Sequence, residues 1–205
     1  MKFAPGLLGA CLLLTACSGA PPAAPPTVTV TAPATPSAPA TADPAVLGWM
    51  DGFCAVIHGY RERTNDEAGA PKPDPGSVAE AQQVLSATLG GIAARTGEVV
   101  DKLTALPPAP VPVAEKVRQA FVTKYTTARD RAAEAKKALD AAKPGDGASQ
   151  GPAADAVKQA QQDIDGTYDP VAPMAESPEL MMAAARVSPC SPARHPPPHL
   201  AQRLE

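Results

Sequence analysis

Few residues in this chain have types and spacings that could do chemistry. In Cys54-Ala-Val-Ile-His58 a thiol and an imidazole stand four positions apart. On a helix they fall on adjacent turns of one face, where they could ligate a metal or act as nucleophile and base. No further ligand cluster accompanies them. His195 and His199 repeat that interval, but the three prolines between them prevent helical alignment. The stretch "DIDGTYD", residues 163–169, carries the aspartates of a calcium loop in the wrong frame. An EF-hand places glycine sixth and glutamate twelfth. Here Gly166 is fourth and Met174 twelfth, so these aspartates read as a solvated helix end. The chain has no G-x-S-x-G elbow, phosphate-cradling loop, haem C-x-x-C-H or convincing carboxylate pair. The expectation is a protein that is not an enzyme and takes no metal or other cofactor. An enzymatic reading would have to rest on His58.

The first residues give an address. Lys2 is the only charge before Asp43, and an apolar run follows at 7–14. This is the layout of a secretory signal peptide. The run is too short to span a bilayer, which takes about 20 residues. It ends in Leu14-Thr15-Ala16-Cys17, which resembles at all four positions the lipobox of bacterial lipoproteins. The resemblance implies a thioether-linked diacylglycerol on Cys17 and cleavage before it, so that residues 1–16 are a lipoprotein signal peptide. Leu8-Gly9-Ala10-Cys11 fits the same pattern but would leave almost no apolar segment ahead of it. The alternative is a plain secreted protein cut after a small residue. Each buried methylene contributes about 0.8 kcal/mol, so two acyl chains hold a protein stably where one holds marginally. The expected location is the extracytoplasmic face of the cell membrane, through a lipid anchor.

Of the four cysteines, Cys11 leaves with the leader and Cys17 takes the lipid. Cys54 and Cys190 remain, and an even remainder in an exported chain reads as a disulfide. Two unpaired buried thiols are the alternative. A bridge would enclose about 136 residues, for which the chain-entropy model gives about 5 kcal/mol as an upper figure. It would also take Cys54 away from His58. The net charge of −3 and the lack of a basic stripe exclude a nucleic-acid surface.

The elements that position these residues follow from periodicity. Residues 17–43 are rich in proline, alanine and threonine and read as a tether, reaching about 80 Å if fully extended. Its Thr and Ser residues could carry O-linked sugars. A first helix starts at Asp43-Pro44 and carries Val46, Met50, Phe53, Cys54, Ile57 and Tyr60 on one face. The segment 64–76, with its glycines and three prolines, is expected to break it. A second helix opens on the capping box Ser77-Val78-Ala79-Glu80. Its stripe runs Val78, Ala81, Leu85, Leu89, Ile92, Val99, Leu103 and Leu106, with Thr96 in the gap. Gly90-Gly91 within it predicts close approach of a neighbouring helix or a kink. After "PPAPVP" a third helix reaches about residue 142, with Val113, Val117, Phe121, Ala128, Ala132, Ala135 and Leu139 inward and Lys124 or Tyr125 between. A fourth spans about 152–166, with Val157, Ala160 or Gln161, and Ile164. Ser177-Pro178 begins a short fifth helix carrying Leu180, Met181, Ala184 and Val187, which leads into Cys190.

The predicted fold is all-α: an antiparallel four-helix bundle over 44–190 with a short fifth helix and one disulfide. Residues 191–205 read as a disordered tail. Aromatics are only 3%, so the core rests on Leu, Val and Ala.

The lipobox, the tether, Trp49 and Phe53-Cys54 on a first helix, and Ser177-Pro178-Glu179-Leu180 before Cys190 together resemble small Ala/Pro-rich actinobacterial cell-envelope lipoproteins. The 26 prolines and abundant alanine suit such a source. The resemblance implies location and helical form and assigns no activity. Two functions suit the sequence: an interaction or scaffolding module meeting another envelope protein, or a carrier of a small apolar ligand or lipid. For the second, Gly90-Gly91 and Met181-Met182 could line a gap between helices.

Overall fold

The computed structural model describes residues 42–71 and 74–190. The leader, Cys17, most of the tether, His195, His199 and the tail lie outside the described residues. Within them the chain is helical, without strands: α1 (Pro44–Gly69), α2 (Val78–Ala105), α3 (Pro112–Ala141), α4 (Gln150–Asp163) and a short α5 (Pro178–Ala184). Single 3-10 turns occupy Gly147–Ser149, Ala172–Met174 and Ser188–Cys190.

The starts of these helices follow from side-chain chemistry. Asp43 accepts the Ala45 N–H at 2.7 Å, and Pro44 takes the first helical position, where its missing donor costs nothing. Ser77 accepts the Glu80 N–H at 3.2 Å. Glu80 reaches back to the Gly76 N–H at 2.7 Å, one residue earlier than a standard capping box. Helix α3 has no side-chain cap and relies on Pro112 at its first turn. Ser177 caps α5 through the Leu180 N–H at 3.4 Å.

Helix α1 runs further than its sequence predicts. It continues through 64–69, because the first proline is Pro71 and only Ala70 must leave the helical region to precede it. The added turns lie along α2, where Glu67 pairs with Arg95, and Arg63 just before them pairs with Glu98 at 3.1 Å. Such half-exposed pairs each contribute at most about 1 kcal/mol.

All six residues expected on the inner face of α1 are buried, and Trp49 joins them. Trp49 stacks on Phe53 (centroids 5.0 Å apart, planes within 10°), and Phe53 meets Phe121 of α3 at 5.2 Å. Tyr60 meets Tyr125 edge-on at 5.1 Å. Helices α1 and α3 thus meet through rings, whereas α2 and α3 approach more closely through smaller side chains. Tyr125, not Lys124, fills the gap in the α3 face. It is fully buried, and its hydroxyl bonds Thr167 Oγ1 at 3.0 Å, while Lys124 turns outward to the Asp165 carbonyl at 2.5 Å. In α4 the inward residue is Ala160, and Gln161 is exposed.

The start of α2 also differs. Val78 is 50% exposed, and the buried position there is Gln82. Its Nε2 donates to the Leu139 carbonyl and its Oε1 accepts the Gly145 N–H, both at 2.9 Å. One amide therefore satisfies the end of α3 and the turn after it. Gln82→Ala leaves both groups without that partner and is expected to cost about 1–3 kcal/mol in urea unfolding. A loss below a few tenths of a kcal/mol would contradict this clamp.

Helix α2 passes through Gly90-Gly91 as continuous helix, and Gly90 leaves room for a long side chain of α3. A Cβ on Gly90 would lie 3.1 Å from Cε of Lys136 on α3.

At the C-terminal end, α5 and the turn after it pack on α1. Leu180, Ala183, Ala184 and Val187 are buried, and Cys54 and Cys190 form the disulfide, their Cα atoms 5.2 Å apart. Met181 points outward, one step around the helix from Leu180 and Ala184. The buried methionine of this region is Met174.

Candidate functional site

The disulfide consumes the thiol of the Cys54–His58 pair. His58 Nδ1 lies 3.2 Å from Glu62 Oε2, one turn along the same helix, and no thiolate stands beside it. In the 163–169 segment the carboxylates of Asp163 and Asp169 are engaged, and Asp165 is held through its backbone carbonyl. Asp163 receives two bonds from Arg131, at 2.6 and 3.3 Å. The Asp165 carbonyl takes Lys124, and Asp169 Oδ1 accepts the Val171 and Ala172 N–H groups at 3.0 and 3.2 Å. Gly166, at φ +79°, makes the turn between them. Among the described residues, no three His, Cys, Asp or Glu side chains converge as a metal site would require.

Lys136 and Asp140, four apart on α3 as the sequence places them, pair and are joined by Ser86 of α2, which no sequence motif announces, in a shallow recess between the two helices. Ser86 Oγ donates to Asp140 Oδ1 at 2.5 Å, and Lys136 Nζ donates to Asp140 Oδ2 at 2.5 Å and to Ser86 Oγ at 3.1 Å. A serine nucleophile needs a neighbour that takes its proton. Here Lys136 gives a proton to Ser86, and Ser86 gives its own to a carboxylate already charged. The hydrogen bonds from Lys136 and then Ser86 hold the Asp140 carboxyl below its ordinary range, which keeps it an acceptor. The trio therefore ties two helices together at the surface and lacks the arrangement of a nucleophilic site.

The larger opening, about 710 Å³, is a groove between α1, the 168–175 loop and the C-terminal segment. Tyr168, Val171 and Ala172 form one wall. Met181 and Ala184 of α5, with Ala185 just after it, form the other, and Pro189 and Cys190 continue it. Arg61 enters from α1 and donates to the Tyr168 carbonyl at 3.0 Å. The size falls within the usual range for small-molecule sites. Four large apolar side chains are exposed among the described residues, and two of them, Tyr168 and Met181, line this groove. Burial, then the nearby Asp165 charge, raises the Tyr168 phenol above its ordinary value, so it stays a neutral apolar-faced ring at physiological pH.

No family model matches the chain, and no curated protein or solved structure was found to match it.

The groove was not legible in the sequence because its walls come from an aperiodic loop and from a helix shorter than two turns. Gly90-Gly91, which the sequence offered as a gap, does not line it, whereas Met181 does. No described helix is long and apolar enough to cross a membrane.

Proposed function

We propose that this protein is a non-enzymatic cell-envelope lipoprotein. In this reading it belongs with the Ala/Pro-rich actinobacterial lipoproteins it resembles. It is anchored through diacylglycerol on Cys17 to the extracytoplasmic face of the membrane, and the helical bundle is held off that surface to meet another envelope component. The observation that carries this reading is the Cys54–Cys190 bridge, buried between α1 and the C-terminal segment. Such bridges persist in oxidising compartments. That agrees with the compartment to which the lipobox-bearing leader would send the chain, and the two features are independent. The proton direction in the Ser86 trio, in which Lys136 donates to Ser86 and Ser86 donates to Asp140, supports a role other than catalysis.

Detergent phase separation tests the anchor. The native protein is expected in the detergent phase and Cys17→Ala in the aqueous phase. Native material recovered in the aqueous phase with Met1 still in place would sink the proposal. Turnover of any substrate by the purified protein in a broad hydrolase panel would remove its non-enzymatic part.

A second reading, a carrier of a small apolar ligand, is favoured by the groove beside α5. The ligand would then lie against the outside of the bundle rather than among its four long helices.

A further inference from the structure

Resting on that second reading, we infer that the groove binds a single-chain anionic amphiphile, with its apolar chain between Tyr168 and Met181 and its charged head on Arg61. Three observations meet there. The walls are apolar on both sides, and they hold two of the four large apolar side chains that the described chain leaves exposed. Covering them releases water, and an unbranched apolar chain is flexible enough to lie between two such walls.

The charges in the groove are asymmetric in what they can still bind. Asp169 also lines the groove and keeps its charge there, but its Oδ1 is turned into its own loop, where it accepts two backbone N–H groups. Arg61 has one hydrogen bond, to a neutral carbonyl, and no carboxylate within ion-pair distance among the described residues. A guanidinium carries five donors in a planar fork that matches carboxylate or phosphate oxygens. The head group that completes it is therefore an anion, whether a fatty-acid carboxylate or a monoalkyl phosphate. A quaternary ammonium head would meet Arg61 as a like charge.

The third observation is that the ligand wall is also the disulfide wall. Cys190 lines the groove and is bonded to Cys54 of α1, which fixes the distance between α5 and the helix that carries Arg61. The apolar wall and the cation are thereby held as one preorganised unit, which lowers the ordering cost of binding.

The test uses the full chain carrying Cys17→Ser, in the oxidised state, so that no attached lipid competes and the outcome is independent of whether Cys17 is acylated. Calorimetric titrations below the micellar limit compare laurate, dodecyl phosphate, dodecyl maltoside and dodecyltrimethylammonium. One-to-one binding of the two anionic probes is expected, about tenfold or more tighter than the maltoside, with the cation weakest. The ratio of laurate to dodecyl phosphate distinguishes a carboxylate from a phosphate source. Shortening the chain should weaken binding by about fourfold per methylene. In Arg61→Gln the anionic preference should vanish while maltoside binding persists, and Met181→Glu should weaken every probe. If either variant unfolds, wild-type methyl NMR decides instead: laurate should shift the Met181 methyl and leave that of buried Met50 in place. Equal affinity for all four heads, an unmoved Met181 methyl, or no saturable binding would overturn the assignment. Equal affinity would leave a carrier that ignores head-group charge, whereas no saturable binding would end the carrier reading itself and leave the groove to a second copy of the chain or a protein segment. Failure here leaves the anchor proposal standing, because phase separation tests that separately.

Discussion

Cys190→Ala is expected to lower the unfolding free energy by about 3–5 kcal/mol. The bridge joins residues 136 positions apart, close to the whole length of the described fold, so it removes much of the freedom of the unfolded chain. The native side has little to offset the loss. Beyond Met174, the C-terminal segment buries only Leu180, Ala183, Ala184, Val187 and Cys190 itself, and two of these five are alanines. Burial of a leucine or valine contributes about 1.5–3 kcal/mol and of an alanine far less. Cys190 is the better site to change, because Cys54 is fully buried on α1 and its loss would open the core directly. Urea unfolding of the oxidised protein, the reduced protein and Cys190→Ala should give one high midpoint and two similar low ones. Hydrogen exchange should show α5 amides losing protection before those of α2 and α3. An unchanged midpoint on reduction would mean that α5 docks without help from the bridge.

How legible this fold was depended on where apolar periodicity decides burial. The inner face of α1 could be read because Val46, Met50, Phe53, Cys54, Ile57 and Tyr60 recur at three and four, and nothing in that stretch competes. Periodicity failed at ends. At the start of α2 the stripe points to Val78, but the turn after α3 needs a donor and an acceptor, and Gln82 supplies both. At the end of α1, glycine and three prolines suggested an early stop, yet a helix can run until the residue before a proline, and it does. Between Lys124 and Tyr125 the sequence left two choices, and the partner that settles them, Thr167, lies 42 positions away from Tyr125. In α5 the expected Leu180 and Ala184 do face inward, but seven residues are too few for periodicity to show that Ala183 joins them and Met181 faces outward. The disulfide was legible for a different reason, since counting cysteines needs no geometry. The groove had no such route. Its cation and its apolar walls come from three segments that share no pattern, and only the fold brings Arg61 to Tyr168, 107 positions apart.

Phe53→Ala should be the most damaging single truncation, costing about 3–5 kcal/mol. The ring is fully buried and touches two others, Trp49 on its own helix and Phe121 on α3. Helix α1 reaches α3 through large rings, so deleting the central one leaves a space between Trp49 and Phe121. The damage spreads to Trp49. Its indole N–H meets no hydrogen-bond partner among the described residues, and Phe53 supplies the stacked face of its packing. Trp49 is the single tryptophan of the chain, which makes the effect directly visible. Phe53→Ala should red-shift its emission in the folded protein and lower the thermal midpoint in the same sample. Phe53→Leu restores much of the volume without the stacking and should cost less than about 2 kcal/mol, with a smaller red shift. Equal losses for alanine and leucine would mean that ring stacking, not volume, holds α1 to α3. Negligible losses for both would mean that α1 is held to the bundle by the disulfide and α2 instead.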